Sequence, residues 1–228
     1  MSSRDLVIVA IDGPSASGKS TVSKRVAQEL AFTYVDSGSL YRGMTWKSIR
    51  EGVDVRQPQA VIDLMQRMKL EFFVDRRVVY FTMDGEDPGQ QLRSEPVRES
   101  VSDIAAIPEV RAFMVDHLRS MVQFGNIVME GRDIGTVVFP TTPFKFYLDA
   151  SPEVRAQRRF KELAPVEGVK DVGVVMSSLA RRDQKDSTRP TAPLQIALGA
   201  KVIDSTAMSI DEVVASIVAD VRAAGRNV

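Results

Sequence analysis

Several residue types and patterns are scarce in this chain, and each scarcity excludes something. Its 228 residues include no cysteine. Disulfides, thiolate nucleophiles and sulfur-ligated metals are therefore excluded. A single histidine removes any histidine-built metal centre. Neither sign of charge is in excess, with 30 basic and 30 acidic residues. A general binder of polymeric nucleic acid or of a membrane surface usually carries a basic excess, so neither partner is expected. A small anionic ligand stays open, because clustered arginines can hide inside a neutral total. No apolar run approaches the roughly 20 residues of a membrane span. The run Leu6–Ile11 is too short for a signal-peptide core and leads straight into a glycine-rich loop. The expectation is a cytoplasmic protein. Internal repeats, low-complexity tracts and a long self-association seam are also missing, so a monomer is expected.

What is present is ordinary for a globular protein, 44% hydrophobic and 26% charged. Leu6–Ile11 reads as a strand buried on both faces of a parallel sheet. A helical pattern follows from Lys19 to Leu30, with Val22, Val26 and Leu30 on one face. Thr33–Val35 reads as a strand, with helices over Ser39–Arg50 and Pro58–Met68. Leu70–Asp75 and Val78–Met83, rich in Phe, Val and Tyr, predict a small antiparallel hairpin or meander inserted between helices, with Asp84-Gly85 as a turn signal. Ser94–Phe124 is helical, broken near Pro108. Strands are expected at Ile127–Met129, Lys145–Leu148 and Lys201–Asp204. Pro152 opens a helix to about Leu163. A loop is expected over Ala164–Gly173, then helices over Val174–Asp186 and Ile210–Ala223. Alternating strands and helices give an α/β fold with a parallel sheet covered on both faces.

Gly13-Pro14-Ser15-Ala16-Ser17-Gly18-Lys19-Ser20 fits G-x-x-x-x-G-K-[ST] at every fixed position, between a buried strand and a helix. Such a loop turns its backbone N–H groups inward around phosphates, at the positive end of the following helix. Lys19 sets a charge on the β and γ phosphates of ATP. Ser20 offers a hydroxyl to Mg²⁺, with Thr21 close behind. The motif specifies nucleoside-triphosphate phosphates and leaves the fate of those phosphates open.

Arginines recur along the chain: Arg42, Arg93, Arg98, Arg111, Arg132, then Arg155, Arg158 and Arg159, then Arg181, Arg182 and Arg189. Positions 155, 158 and 159 share a helix face, and Arg182, Asp186 and Arg189 follow the same spacing if the helix persists. Guanidinium forks bind phosphate oxygens and stay charged when partly buried. Phosphoryl transfer runs on such positioning and electrostatics. An acceptor that is itself a phosphate needs no base, whereas an alcohol acceptor usually does. His117 lies in a helical stretch and reads as an ordinary surface or packing residue. Two rivals remain: a kinase for a sugar or nucleoside hydroxyl, with Asp36 or Asp133 as base, and a nucleotide-binding switch or partner-binding ATPase.

The phosphate loop is joined by Val35-Asp36-Ser37-Gly38…Tyr41-Arg42 and Glu130-Gly131-Arg132-Asp133-Ile134-Gly135-Thr136. Then come Ala180-Arg181-Arg182-Asp183…Asp186-Ser187-Thr188-Arg189 and Val202-Ile203-Asp204-Ser205-Thr206. In this order, over nearly the whole chain, these segments resemble the bacterial-type cytidylate kinases. The resemblance implies a nucleoside-monophosphate kinase of the P-loop NTPase fold. It implies a five-stranded parallel core, about 1–62, 99–152 and 170–228, a monophosphate-binding β insertion, about 63–98, and a lid, about 153–169. The implied reaction is transfer of the ATP γ-phosphoryl group, with Mg²⁺, to CMP or dCMP. By position, Ser37 and Arg42 fall on the monophosphate pocket, and Ser102 and Arg111 on the base-reading residues. Arg132, Asp133 and Arg182 fall near the acceptor phosphate and reaction centre. Asp186 falls on the ribose contact, Arg189 on a base or phosphate contact, and Arg158 on a lid arginine that reaches the transferring phosphates. Local alternatives also exist: Ser37 as a helix N-cap, Ser102 as a helix-surface serine, and Asp133 as an ion-pair partner of Arg132 or another arginine.

Overall fold

The computed structural model describes residues 6–167 and 171–224. Successive strand residues point to opposite faces, and the central strands use both. In β1 (Ile8–Asp12), Val9 and Ile11 enter one apolar core and Ala10 the other. In β5 (Ile127–Gly131), Val128 joins the first core, and Ile127 and Met129 the second. That is why these strands are nearly continuous apolar runs. Each fully buried side chain of the size of Ile11 contributes roughly 1.5–3 kcal/mol.

The first core is closed by α1 (Lys19–Leu30) and α8 (Ile210–Ala224). The second is closed by α2 (Ser37–Arg50), α3 (Pro58–Arg67), α4 (Glu95–Ile104) and α5 (Pro108–Ser120). Between them, β2 (Thr33–Asp36), β5, β1, β6 (Phe144–Asp149) and β7 (Lys201–Asp204) form the expected five parallel strands, in that spatial order. The helix break near Pro108 also falls as expected. Proline disfavours helix in the residue before it, and Ile107 is extended.

Three details differ from expectation. The antiparallel pair β3 (Leu70–Asp75) and β4 (Val78–Met83) is not a separate small sheet. It extends the main sheet to seven strands, because β4 meets β2 in parallel at Tyr34 and Val78. The Tyr34 N–H donates to the Arg77 carbonyl over 2.8 Å, and the Arg77 guanidinium reaches the Ala31 carbonyl at the end of α1. Second, the described residues of the loop expected from Ala164 to Gly173 are mostly helix. Helix α6 (Pro152–Glu167) runs through Pro165, and α7 (Val172–Thr188) starts at an Asp171 cap whose carboxylate accepts the Gly173 N–H over 2.7 Å. Part of the expected lid, residues 168 and 169, lies outside the described residues, as do residues 1–5, 170 and 225–228 of the expected core. Third, Asp36 rather than Ser37 caps α2, by accepting the Ser39 N–H over 3.0 Å.

Strand β1 lies beside β6, and their connections leave in opposite directions across the sheet, β1 through α1 to β2 and β6 through α6 and α7 to β7. Such a switch point opens a crevice at the carboxyl ends of the strands. The phosphate loop leaves β1 there, and α6 and α7 pack beside it through Ala156, Val175 and Leu179.

Candidate active site

The loop after β1 is shaped by close packing. A Cβ on Gly13 would lie 2.1 Å from the Leu148 carbonyl oxygen, so only glycine fits. Gly18 takes a φ of 95° and leads into α1. The Lys19 ammonium is buried beneath the loop and donates to the Pro14 carbonyl and to Ser17 Oγ, at 2.5 and 3.2 Å. Burial, then Arg132 nearby, pulls its pKa well below the usual lysine range. A lysine held this way has lost water and gained no carboxylate hydrogen bond. An anion above the loop would relieve that cost.

Ser15 to Thr21 line one end of a cleft of about 760 Å³. Gly13 and Pro14, the first two residues of the loop, do not line the cleft. The far end is lined by Ser102, Arg111, Asp133, Asp186 and Arg189, with Ser37, Arg42, Arg132, Arg158 and Arg182 between the ends. Arg155 and Arg181 are not among the lining residues. Arg155 instead lies behind, bonded to the Ser15 carbonyl over 3.1 Å and paired with Asp183. Asp183 in turn accepts the Ser15 N–H over 3.0 Å.

At the far end the charges interlock. Asp133 pairs through one oxygen with Arg111, and its other oxygen lies 3.8 Å from Arg189. Arg111 lies over the Tyr41 ring at 5.2 Å. Arg132 bridges Asp186 and Ser15 Oγ, both at 3.0 Å, which links this end to the phosphate loop. Ser102 Oγ lies 3.5 Å from Asp186. Buried guanidinium nitrogens with no hydrogen-bond acceptor among the described residues remain on Arg42, Arg111, Arg182 and Arg189. Burial and neighbouring Arg132 bring the Arg182 pKa down to about 10. Cations crowded this closely in a cleft form a receptor for anions.

Beside the loop, Glu130, the last residue but one of β5, lies next to Asp36 in register on β2. Burial and the Asp36 charge raise the Glu130 pKa, while Lys19 and hydrogen bonds from Tyr34 and Ser20 oppose the rise. The Ser20 hydroxyl with two carboxylates is a hard-oxygen set. It suits Mg²⁺, which typically takes one or two carboxylates, substrate phosphates and waters.

A family model described as cytidylate kinase matches residues 9–223. A cytidylate kinase from Caldanaerobacter subterraneus is 40% identical over 216 residues, 95% of each chain. Another, from Mycobacterium leprae, is 41% identical over 212 residues, covering 92% of this chain and 93% of its own. The chain belongs to the cytidylate kinase family. It is a nucleoside-monophosphate kinase that phosphorylates its acceptor with ATP. An uncharacterized protein from Eubacterium ventriosum shares the fold, with a TM-score of 0.52 at 11% identity over 94% of this chain and 98% of that one.

Against that family frame, several local alternatives resolve. Ser102 is buried, so it is not a helix-surface serine. Asp133 pairs with Arg111 and Arg189 and leaves Arg132 to Asp186. Ser37 donates its hydroxyl to the Glu130 carbonyl over 2.6 Å. Helix α7 persists far enough to place Arg182, Asp186 and Arg189 on the cleft together. His117 is a packing residue, its ring centroid 4.3 Å from that of Phe113. Sequence reading passed over Glu130, Asp183 and Ser205. Glu130 had a visible cue, a carboxylate ending an apolar strand. Ser205 accepts Arg158 through both its hydroxyl and its carbonyl, at 3.1 and 2.8 Å, a contact with no local signature.

Among the described residues, no helix is long and apolar enough to cross a membrane.

Proposed function

We propose that this enzyme transfers the γ-phosphoryl group of ATP directly to the phosphate of CMP or dCMP, giving ADP and the cytidine diphosphate. The observation that carries this reading is the spacing of two polar ends in one cleft. A phosphate loop lies at one end, an Arg111–Asp133–Arg189 cluster with Ser102 at the other, and Arg132 and Arg182 between.

In this reading Ser15 to Thr21, with Lys19, hold the ATP phosphates. Ser20 holds Mg²⁺, with Glu130 and Asp36 close by, and the metal supplies charge neutralisation and orientation when bound. Ser37 and Arg42 take the acceptor phosphate together with Arg132 and Arg182. Ser102, Arg111 and Arg189 read the base, since a hydroxyl and guanidinium N–H groups complement the carbonyl and ring-nitrogen acceptors of cytosine. Asp186 accepts hydrogen bonds from the sugar hydroxyls. Arg158, bonded to the Ser17 carbonyl and to Ser205, stands beside the loop where charge migrates. The stretch 153–169 acts as the lid and excludes water that would otherwise hydrolyse ATP. The segment 63–98 serves the monophosphate side. A monomer is the working unit in this reading.

A hydroxyl-directed kinase fits less well. Asp36 is paired with Arg42 at 2.6 Å, and Asp133 is held between two guanidinium groups. Each carboxylate is already engaged by arginine. The deciding assay couples ADP release to a panel of nucleoside monophosphates. CMP and dCMP should give the highest kcat/KM. Equal rates with all bases, or no stimulation by any pyrimidine monophosphate, would refute the reading.

A further inference from the structure

The last residue of β1 has two bonds that the reaction described above does not use. Asp12 is 3% exposed. One of its oxygens accepts the Ile134 N–H and the other the Gly135 N–H, each over 2.8 Å. These two amides open the short helical turn Ile134–Val138, directly after Arg132 and Asp133. On its other side Asp12 is followed at once by Gly13, the first residue of the phosphate loop. A single carboxylate therefore spans the two halves of the cleft: the loop that faces ATP and the turn that faces the acceptor.

We propose that Asp12 is a positioning residue, whose carboxylate keeps the turn bearing Arg132 and Asp133 in register with the phosphate loop so that donor and acceptor phosphates meet in line. This rests on the acceptor-side roles given to Arg132 and Asp133 under the proposed function. In-line transfer depends on alignment within a fraction of an ångström, so a small slip of one half against the other costs rate more than binding.

The chemistry of the contact makes it sensitive to protonation. Both amides are donors and need an acceptor. The ionised carboxylate offers two. The neutral acid offers one carbonyl oxygen and one hydroxyl, whose proton opposes an N–H. The groups facing Asp12 are Asp133 from the turn, Lys19 from α1 and Tyr147 in register on β6. The Lys145 stem lies against Gly135, but its ammonium donates to the Leu198 carbonyl. Burial raises the Asp12 pKa to about 6, with Asp133 adding to the rise and the two amides and Lys19 opposing it. Between the ordinary carboxylate range and that value the folded chain binds more protons than the unfolded chain. This group's contribution to stability therefore falls as pH rises through the window. Its contribution to turnover rises over the same window. A purely structural residue would move stability and turnover together.

The test compares kcat for CMP phosphorylation by the parent and Asp12→Asn from about pH 5 to pH 8. Both enzymes use the same nucleotides, so titration of the substrate phosphates cancels in the ratio. At the upper end the parent should be faster by about tenfold or more, as expected when a buried donor loses its acceptor. The ratio should shrink toward one below about pH 6. The variant also lacks the burial cost of the ionised carboxylate, which offsets the lost bond, so its unfolding midpoint at the upper end should match or exceed the parent's. A pH-independent ratio, or parallel loss of turnover and stability, overturns the proposal. An independent measurement needs no variant. The Ile134 and Gly135 amide resonances of the parent should titrate with a midpoint near about 6, and their constancy would equally overturn it. Absence of CMP turnover in the parent would count against the proposed function instead, and the amide titration would still decide the contact.

Discussion

Replacing Arg111 by methionine removes one member of a buried ion pair and keeps much of its apolar volume. The side chains of Arg111 and Asp133 are 3% and 6% exposed, so water cannot solvate the carboxylate left behind. Breaking such a pair from one side costs about 3–5 kcal/mol. Arg189, 3.8 Å from the other Asp133 oxygen, remains to offset part of the loss. The Ala105 carbonyl, which accepts from Arg111 over 3.1 Å, loses a partner as well. A destabilisation of about 3 kcal/mol is the expected balance. At about 2–4 °C per kcal/mol for a domain of this size, the unfolding midpoint should fall by about 6–12 °C. Urea unfolding without nucleotide measures the free energy directly. A double-mutant cycle with Asp133→Asn should return a coupling of at least about 1 kcal/mol. CMP should stabilise the parent by about 2.7 kcal/mol at 100 times its Kd, and the variant by much less at the same concentration. An Arg111→Met protein that unfolds within about 0.5 kcal/mol of the parent, with undiminished stabilisation by CMP, would show that the pair is neither dry nor part of the acceptor site.

Lys19→Met should lower turnover by about 100-fold or more and yet raise the stability of the nucleotide-free protein. The lysine pKa falls on folding, so the buried ammonium costs stability, and between the folded and unfolded values the unfolded chain binds more protons. That cost should lessen as the parent is taken to higher pH and should vanish in the variant; thermal scans with paired activity assays check both halves. Ser102→Ala should narrow the preference for CMP over UMP by about tenfold in kcat/KM while changing kcat for CMP less, as read from the same substrate panel. Arg158→Ala should lower kcat by about 100-fold and raise the fraction of ATP hydrolysed without acceptor, because its three bonds to Ser17 and Ser205 are lost. A variant with unchanged coupling between ATP use and CDP formation would count against Arg158 as a lid residue.

Local signals in the chain were enough to specify the phosphate loop, the parallel core and the boundaries of β3 and β4. Each depends on neighbours a few residues apart: strand alternation, a helix start, a glycine-lysine-serine spacing. The grouping of Arg182, Asp186 and Arg189 was likewise readable, since one helix carries the first two and caps at the third. The pairing of charges was not. Asp133 finds Arg111 across 22 positions, Arg132 finds Asp186 across 54, and Asp183 finds the Ser15 amide across 168. Chain spacing alone cannot show which carboxylate meets which guanidinium, because the choice depends on where whole elements pack. The same holds for the hairpin, whose composition marks two strands but whose docking on the β2 edge depends on Tyr34 meeting Val78. Pattern thus settled which kinds of group the protein carries and which ligand class they suit. Packing assigned each charge its partner, since only the folded chain brings distant groups together out of water.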